Sequence, residues 1–132
     1  KNNTSVYFDT NVKFTYGDGY MLFSTLGSGS GSWRAYIETP IDVSPYNTMT
    51  AVGYTSGYYG WVFLNETLKG SNSNNDDAYL AAYITAGTTT SPTTVTADIS
   101  SASGQMYFGV GAYGSSSSSK PQCYFREITL SV

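Results

Sequence analysis

The chain is predicted to be all-β, a sandwich of two antiparallel sheets. Three observations predict it. No segment carries a sustained helical spacing of apolar residues. Short runs rich in Val, Ile, Thr, Tyr and Phe recur instead, with Gly, Ser, Asn or Pro between them. Charged residues make up only 11% of the chain and aromatics 16%, which is the opposite of a disordered profile and suits pleated surfaces. The 132 residues fit one domain, 1–132, long enough to bury a core without disulfide or metal staples. The start at Lys1, with no secretory signal pattern, leaves either a removed leader or one piece of a longer polypeptide, and the second is the expectation.

Strands are expected near 5–8, 11–16, 20–26, 33–41, 48–55, 60–64, 78–85, 93–99, 105–113 and 123–132. Ten short strands in one domain imply two packed sheets. Between the second and third, Gly17-Asp18-Gly19 has the residues of a hairpin turn. In RAYIETPI, Ala35 and Ile37 alternate with Arg34, Tyr36 and Glu38. In TMTAVGY, Met49, Ala51 and Gly53 oppose Thr48, Thr50, Val52 and Tyr54, and either set could be buried. In YLAAYIT, Leu80, Ala82 and Ile84 oppose Tyr79, Ala81 and Tyr83. In MYFGVGAY, Met106, Phe108, Val110 and Ala112 make the core face, with Tyr107, Gly109, Gly111 and Tyr113 opposite. In the last strand Ile128, Leu130 and Val132 are expected inward, against Phe125, Glu127, Thr129 and Ser131. GSGSGS at 27–32, GSNSNNDD at 70–77 and SSSSSK at 115–120 are polar loops between strands.

The residue inventory excludes much chemistry. There is no His, so Ser–His–Asp and Cys–His machinery and His-ligated zinc are absent. Cys123 is alone in CYFREITLSV and reads as a core thiol. A glycosidase needs two facing carboxylates. Of the nine present, Asp42 and Asp98 sit beside turns, where each is expected to bond local backbone. Glu38 and Glu127 lie on strands without a spacing that pairs them, so the chain reads as non-enzymatic. No cofactor is expected. Asn74, Asn75, Asp76 and Asp77 cluster oxygens but lack the spacing of a calcium loop, and a solvated loop is the stronger reading. The six basic residues form no run and the net charge is −3, which disfavours a nucleic-acid partner. No stretch has the length of a membrane span. Sequons at Asn2, Asn3 and Asn65 are expected by chance in so Asn-, Ser- and Thr-rich a chain.

The aromatics carry the functional signal. GYTSGYYGW, from Gly53 to Trp61, places Tyr54, Tyr58, Tyr59 and Trp61 within nine residues. On a strand Tyr59 and Trp61 share a face, and Trp61, followed by VFL, reads as that strand's core anchor. Thirteen Tyr exceed what one small core hides with every hydroxyl paired. Tyr36, Tyr79, Tyr83, Tyr107 and Tyr113 all fall opposite the expected core face. A face of Tyr, Thr and Gly suits sugar stacking. It equally suits a protein interface, where Tyr is enriched.

RAYIETPIDVSPYNTMTAVGYTS, from Arg34 to Ser56, resembles the "aliphatic–Asp–aliphatic–Ser/Thr–x–Tyr–x–Thr–aliphatic" pattern of jelly-roll modules. Such modules occur in phage tail and receptor-binding proteins and in carbohydrate-binding regions of gut Firmicutes proteins. TVTADISSASGQMYFGVGAYG and CYFREITLSV fit the same plan, the latter as a closing strand that pairs back beside the first. The resemblance spans roughly residues 33–132 and implies a jelly-roll-like sandwich. Such modules often hold a calcium through an Asp of the last strand. Here Arg126-Glu127 stands at the comparable place. Resemblance and aromatic face together imply a recognition or adhesion domain on a virion or an extracellular cell surface, binding glycans or host polysaccharide. The candidate contacts are Trp33, Tyr36, Tyr54, Tyr58, Tyr59, Tyr113, Asn75, Asp76 and Asp77. The alternative is a structural decoration, spacer or homo-oligomerisation domain with the Tyr face as subunit contact.

Overall fold

The computed structural model describes residues 6–8, 12–17, 19–25, 31–37, 39–55, 59–66, 79–87, 90–114 and 122–132. In chain order the strands are β1 (Val6–Phe8), β2 (Val12–Gly17), β3 (Tyr20–Thr25), β4 (Gly31–Ile37), β5 (Ile41–Asp42) and β6 (Thr48–Thr55). β7 (Tyr59–Asn65), β8 (Tyr79–Ile84), β9 (Thr93–Asp98), β10 (Gln105–Gly114) and β11 (Gln122–Ser131) complete them. The larger sheet runs β1-β4-β10-β7-β8, with β5 paired to the start of β10. The smaller runs β2-β3-β11-β6-β9, and every pairing in both is antiparallel. The described residues form an all-β, two-sheet sandwich, as the alternation predicts.

Three expectations need correction. The segment expected as one strand at 33–41 is two, because Pro40 lacks the N–H a continuing ladder would use. The closing strand does not return beside β1; β11 lies between β3 and β6 in the other sheet. Strict alternation also fails along β11. A register shift between Phe125 and Glu127 inserts one residue, and a bulge of this kind flips the phase of a strand. Cys123 and Phe125 on one side of it, and Ile128 and Leu130 on the other, therefore all pack on the core. Val132, expected inward, lies past the end of the strand and is 87% exposed.

The core lies between the sheets. Met49 and Ala51 of β6, with Phe23, Cys123 and Phe125, face Val62 and Leu64 of β7, Ala82 and Ile84 of β8, and Met106, Val110 and Ala112 of β10. Fully burying one Leu- or Phe-sized side chain contributes about 1.5–3 kcal/mol. Two further core residues, Val43 and Ile99, come from turns rather than strands. Both sit in Asp-aliphatic-Ser triplets. The Ser44 N–H donates to Asp42 Oδ1 at 3.0 Å, and the Ser100 N–H donates to Asp98 Oδ1 at 2.9 Å. Each turn drives its middle residue inward, where the Val43 N–H meets the Gly104 carbonyl at 3.0 Å and the Ile99 N–H meets the Asn47 carbonyl at 2.8 Å.

Hydrogen bonds from the same two serines hold both carboxyls below the ordinary carboxylate value of 3.8, the hydroxyl first and the backbone N–H second. A carboxyl lowered in the fold stabilises it above the unfolded value, and that stability is lost as pH falls through the folded value. Thermal melts of the native chain should therefore fall in midpoint below about pH 4, where unfolded-state carboxylates titrate. The Asp42→Asn/Asp98→Asn double variant keeps the turn acceptors and should show a shallower acid slope. An unchanged slope would remove these two turns from the acid response.

Cys123 behaves as the core thiol expected from sequence. It is fully buried, its Sγ–H donates to the Tyr54 carbonyl at 3.6 Å, and burial pushes the thiol well above its ordinary range. Iodoacetamide at about pH 8 should leave the folded chain unlabelled and label it on unfolding in urea. Rapid native labelling would contradict the buried position.

Candidate binding face

The stretch GYTSGYYGW does not make one surface. β6 ends at Thr55 in the smaller sheet and β7 begins at Tyr59 in the larger. Gly53 points inward, with Ile84 Cδ1 in contact distance of any Cβ built there, so Tyr54 next to it is on the outer face. Tyr54 and Tyr59 therefore lie on opposite sides of the sandwich. Tyr58 is outside the described residues.

The outer face of the larger sheet gathers the main aromatic cluster. Strand β7 is an interior strand, between β10 and β8, and both of its faces are covered. Val62 and Leu64 face the core, while Trp61 and Phe63 form a second apolar cluster with Tyr59, Ala81, Tyr107 and Tyr113. Cross-strand register sets this arrangement. Tyr59 pairs with Tyr113, Trp61 with Gly111 on one side and Tyr83 on the other, and Phe63 with Gly109 and Ala81. Gly109 is required here. A Cβ at that position would clash with the edge of the Phe63 ring and lie 2.6 Å from the Ala35 carbonyl oxygen.

The rings contact in series. Tyr59 stacks on Tyr113 with centroids 5.0 Å apart and planes 21° apart. Tyr83 meets Tyr59 edge-on at 5.5 Å, and Trp61 lies 5.6 Å from Tyr59 and 6.1 Å from Tyr83. Each such pair adds about 0.5–1.5 kcal/mol beyond its area. Tyr59, Tyr107 and Tyr113 are half-buried, while Tyr83 is 46% exposed. Beneath them Trp61 is 2% exposed, and the Arg34 guanidinium, itself buried, stands 6.0 Å from its ring, within cation–π range. Among the described residues no acceptor pairs with Trp61 Nε1. A buried donor left unmade costs about 1–3 kcal/mol.

A smaller cluster occupies the outer face of the other sheet. Tyr54 stacks on its cross-strand partner Tyr124 at 4.3 Å and 8°, and Tyr20 meets Tyr54 edge-on at 5.1 Å.

Of the residues singled out from sequence, Tyr59 and Tyr113 come together and Tyr54 is separated from them. Trp33 pairs in register with Ala112, a core position, and Tyr36 with Gly109, an outer one. Asn75, Asp76 and Asp77 are outside the described residues, as is Glu38. Trp61, expected as a core anchor, is buried but belongs to the outer cluster, because odd positions of β7 face outward. Tyr83 and Tyr107 lie outward as alternation predicts and join the face. Arg34 was readable as an outward position but not as a buried one; its pairing with Gly111, which leaves room over the sheet, decides that.

Glu127 is exposed on β11 opposite Val52, in the smaller sheet. Asp42 and Asp98 are engaged in their turns. Among the described residues no three His, Cys, Asp or Glu gather to hold a metal ion. Asn65, one of the sequon positions, is fully buried, and its Oδ1 accepts the Glu66 N–H at 3.1 Å. Among the described residues no helix is long and apolar enough to cross a membrane.

No family model and no curated protein matches the chain. Solved structures do. A family 29 carbohydrate-binding module from Piromyces equi superposes with a TM-score of 0.62 at 11% identity, over 98% of this chain and 82% of that one. The module CsCBM6-3 from Clostridium stercorarium, solved in complex with cellobiose, gives 0.59 at 15% identity, over 96% and 86%. At such identities the likeness is one of fold: this chain has the β-sandwich of carbohydrate-binding modules.

Proposed function

We propose that the chain is a non-enzymatic glycan-recognition module, carried on a phage virion or a bacterial surface protein. Its binding face would be the outer surface of the larger sheet. The observation that carries this reading is the contiguous series Tyr113–Tyr59–Tyr83, partly exposed on a sheet face over the buried Trp61. Ring faces of this kind take the C–H side of a pyranose, and neighbouring polar groups take its hydroxyls. The likeness to two carbohydrate-binding modules supports it at the level of fold. Tyr36, Tyr58, Asn75, Asp76 and Asp77 remain candidate contacts, whereas Trp33 stands in register with the core position Ala112 and is not counted in this face. Tyr54 belongs with Tyr124 on the other side. Single-site affinity would be weak and raised by multivalent display.

A glycan array probed with the isolated domain as a multimer tests this. Reproducible binding, retained in Tyr124→Ala, is the expected result. A blank array with the domain folded, together with a stable trimer or larger assembly in light scattering, would assign the face to subunit contact instead.

A further inference from the structure

Trp61 poses a problem that packing alone does not answer. Its ring is enclosed by Tyr59, Tyr83 and Phe63 at 5.6, 6.1 and 6.4 Å, with the Arg34 guanidinium 6.0 Å from its centroid. A phenyl ring serves the same cluster two residues on, at Phe63. The indole is bulkier and carries an N–H that can only donate. Buried Trp N–H groups ordinarily find an acceptor. Here, among the described residues, Nε1 has none.

We infer that Trp61 Nε1 is the hydrogen-bond donor at the floor of the glycan face, given to an oxygen of the bound sugar. This rests on the reading of that face as a glycan site. The sugar it selects is a pyranose lying with its C–H side on Tyr59 and an acceptor oxygen at its edge over Trp61. Reaching Nε1 requires one enclosing group to move. Phe63 and Arg34 are buried, and Tyr59 is held between Tyr113 and Tyr83. Tyr83 is 46% exposed, so of the enclosing groups it is the one with solvent to turn into. The free face is thus closed over its own donor, and sugar binding opens it and supplies the missing acceptor. An acceptor-poor apolar ligand would gain nothing from that opening, so the N–H discriminates in favour of sugars.

The chain has two tryptophans, so the indole N–H region of a ¹⁵N–¹H spectrum holds two resonances, assigned with Trp33→Phe. The domain is titrated with cellohexaose and with the strongest array glycan. The expected result is a downfield move and slower exchange of the Trp61 indole proton. Trp61→Phe, which keeps a ring, should bind about three- to tenfold more weakly, the loss of one neutral hydrogen bond. If the sugar moves the Tyr59 and Tyr83 ring resonances but leaves the indole proton unmoved, the inference is overturned and the glycan reading stands. If no sugar moves any resonance of the face, the reading itself fails and the inference falls with it.

Discussion

Gly53→Ala is expected to destabilise the fold by about 3 kcal/mol, the upper end for overpacking, and to lower the melting temperature by roughly 10 °C. Gly53 is buried on β6 opposite Phe125, at the edge of the register shift in β11. A Cβ there would clash with the Tyr124 carbonyl oxygen, 3.1 Å from its carbon and 3.2 Å from Ile84 Cδ1. Two of those three obstacles are backbone of the central strand of the smaller sheet, which has neighbours on both sides and nowhere to shift. The residue is glycine because two strands approach too closely for a side chain, not because of an unusual φ. Gly17→Ala is the control. Nothing lies within 4 Å of its Cβ position, so its melt should match the native chain. A loss below about 1 kcal/mol at Gly53, a size ordinary for any point substitution, would mean that β11 relaxes and that the bulge is soft.

The bulge also marks where the sequence stopped being legible. Periodicity of two located the strands and both faces of β8 and β10, because in those strands the ladder is regular and each residue type keeps to its side. In β11 the apolar positions Cys123, Phe125, Ile128 and Leu130 are spaced two, three and two apart. A strict alternation must place one pair outside, and only the paired register shows the inserted residue. The two Asp-aliphatic-Ser triplets were legible as turns, but not as core. Val43 and Ile99 lie outside any strand pattern, and their burial follows from the Asx bonds that turn the chain.

The site was half legible for a different reason. A Tyr-rich face opposite the core is visible in β8 and β10 one strand at a time. Which rings touch depends on the order of strands, and β7 lying between β10 and β8 is a crossover that composition does not encode. GYTSGYYGW is the sharpest case. Its aromatics are adjacent in sequence, yet the chain passes from one sheet to the other between Thr55 and Tyr59, so Tyr54 and Tyr59 serve different surfaces. Trp61 misled for a related reason. A Trp followed by VFL looks like core, but with both faces of β7 buried, hydrophobicity no longer tells inside from outside.

Tyr59→Ala is expected to weaken glycan binding by about 30-fold or more, the effect of losing a hot-spot aromatic worth about 2 kcal/mol. Tyr59 is singled out by its contacts. It touches Tyr113, Tyr83 and Trp61 together, so its removal takes away one stacking ring and unseats the others. Tyr83, at the exposed end of the series, should cost less when truncated. If Tyr59 and Tyr113 act as one platform, the Tyr59→Ala/Tyr113→Ala double variant should bind little worse than Tyr59→Ala alone, because the second ring has already lost its support. Folding is not the cause of the loss. Tyr59 is half-buried on an outer face, and a calorimetric melt of the variant should remain cooperative. Tyr124→Ala supplies the matched comparison, since it too breaks a stacked tyrosine pair, but on the opposite sheet. Equal losses from Tyr59→Ala and Tyr124→Ala would mean that binding follows general stability or the other face. A loss confined to Tyr59→Ala ties recognition to the larger sheet, where the rings of β10, β7 and β8 meet.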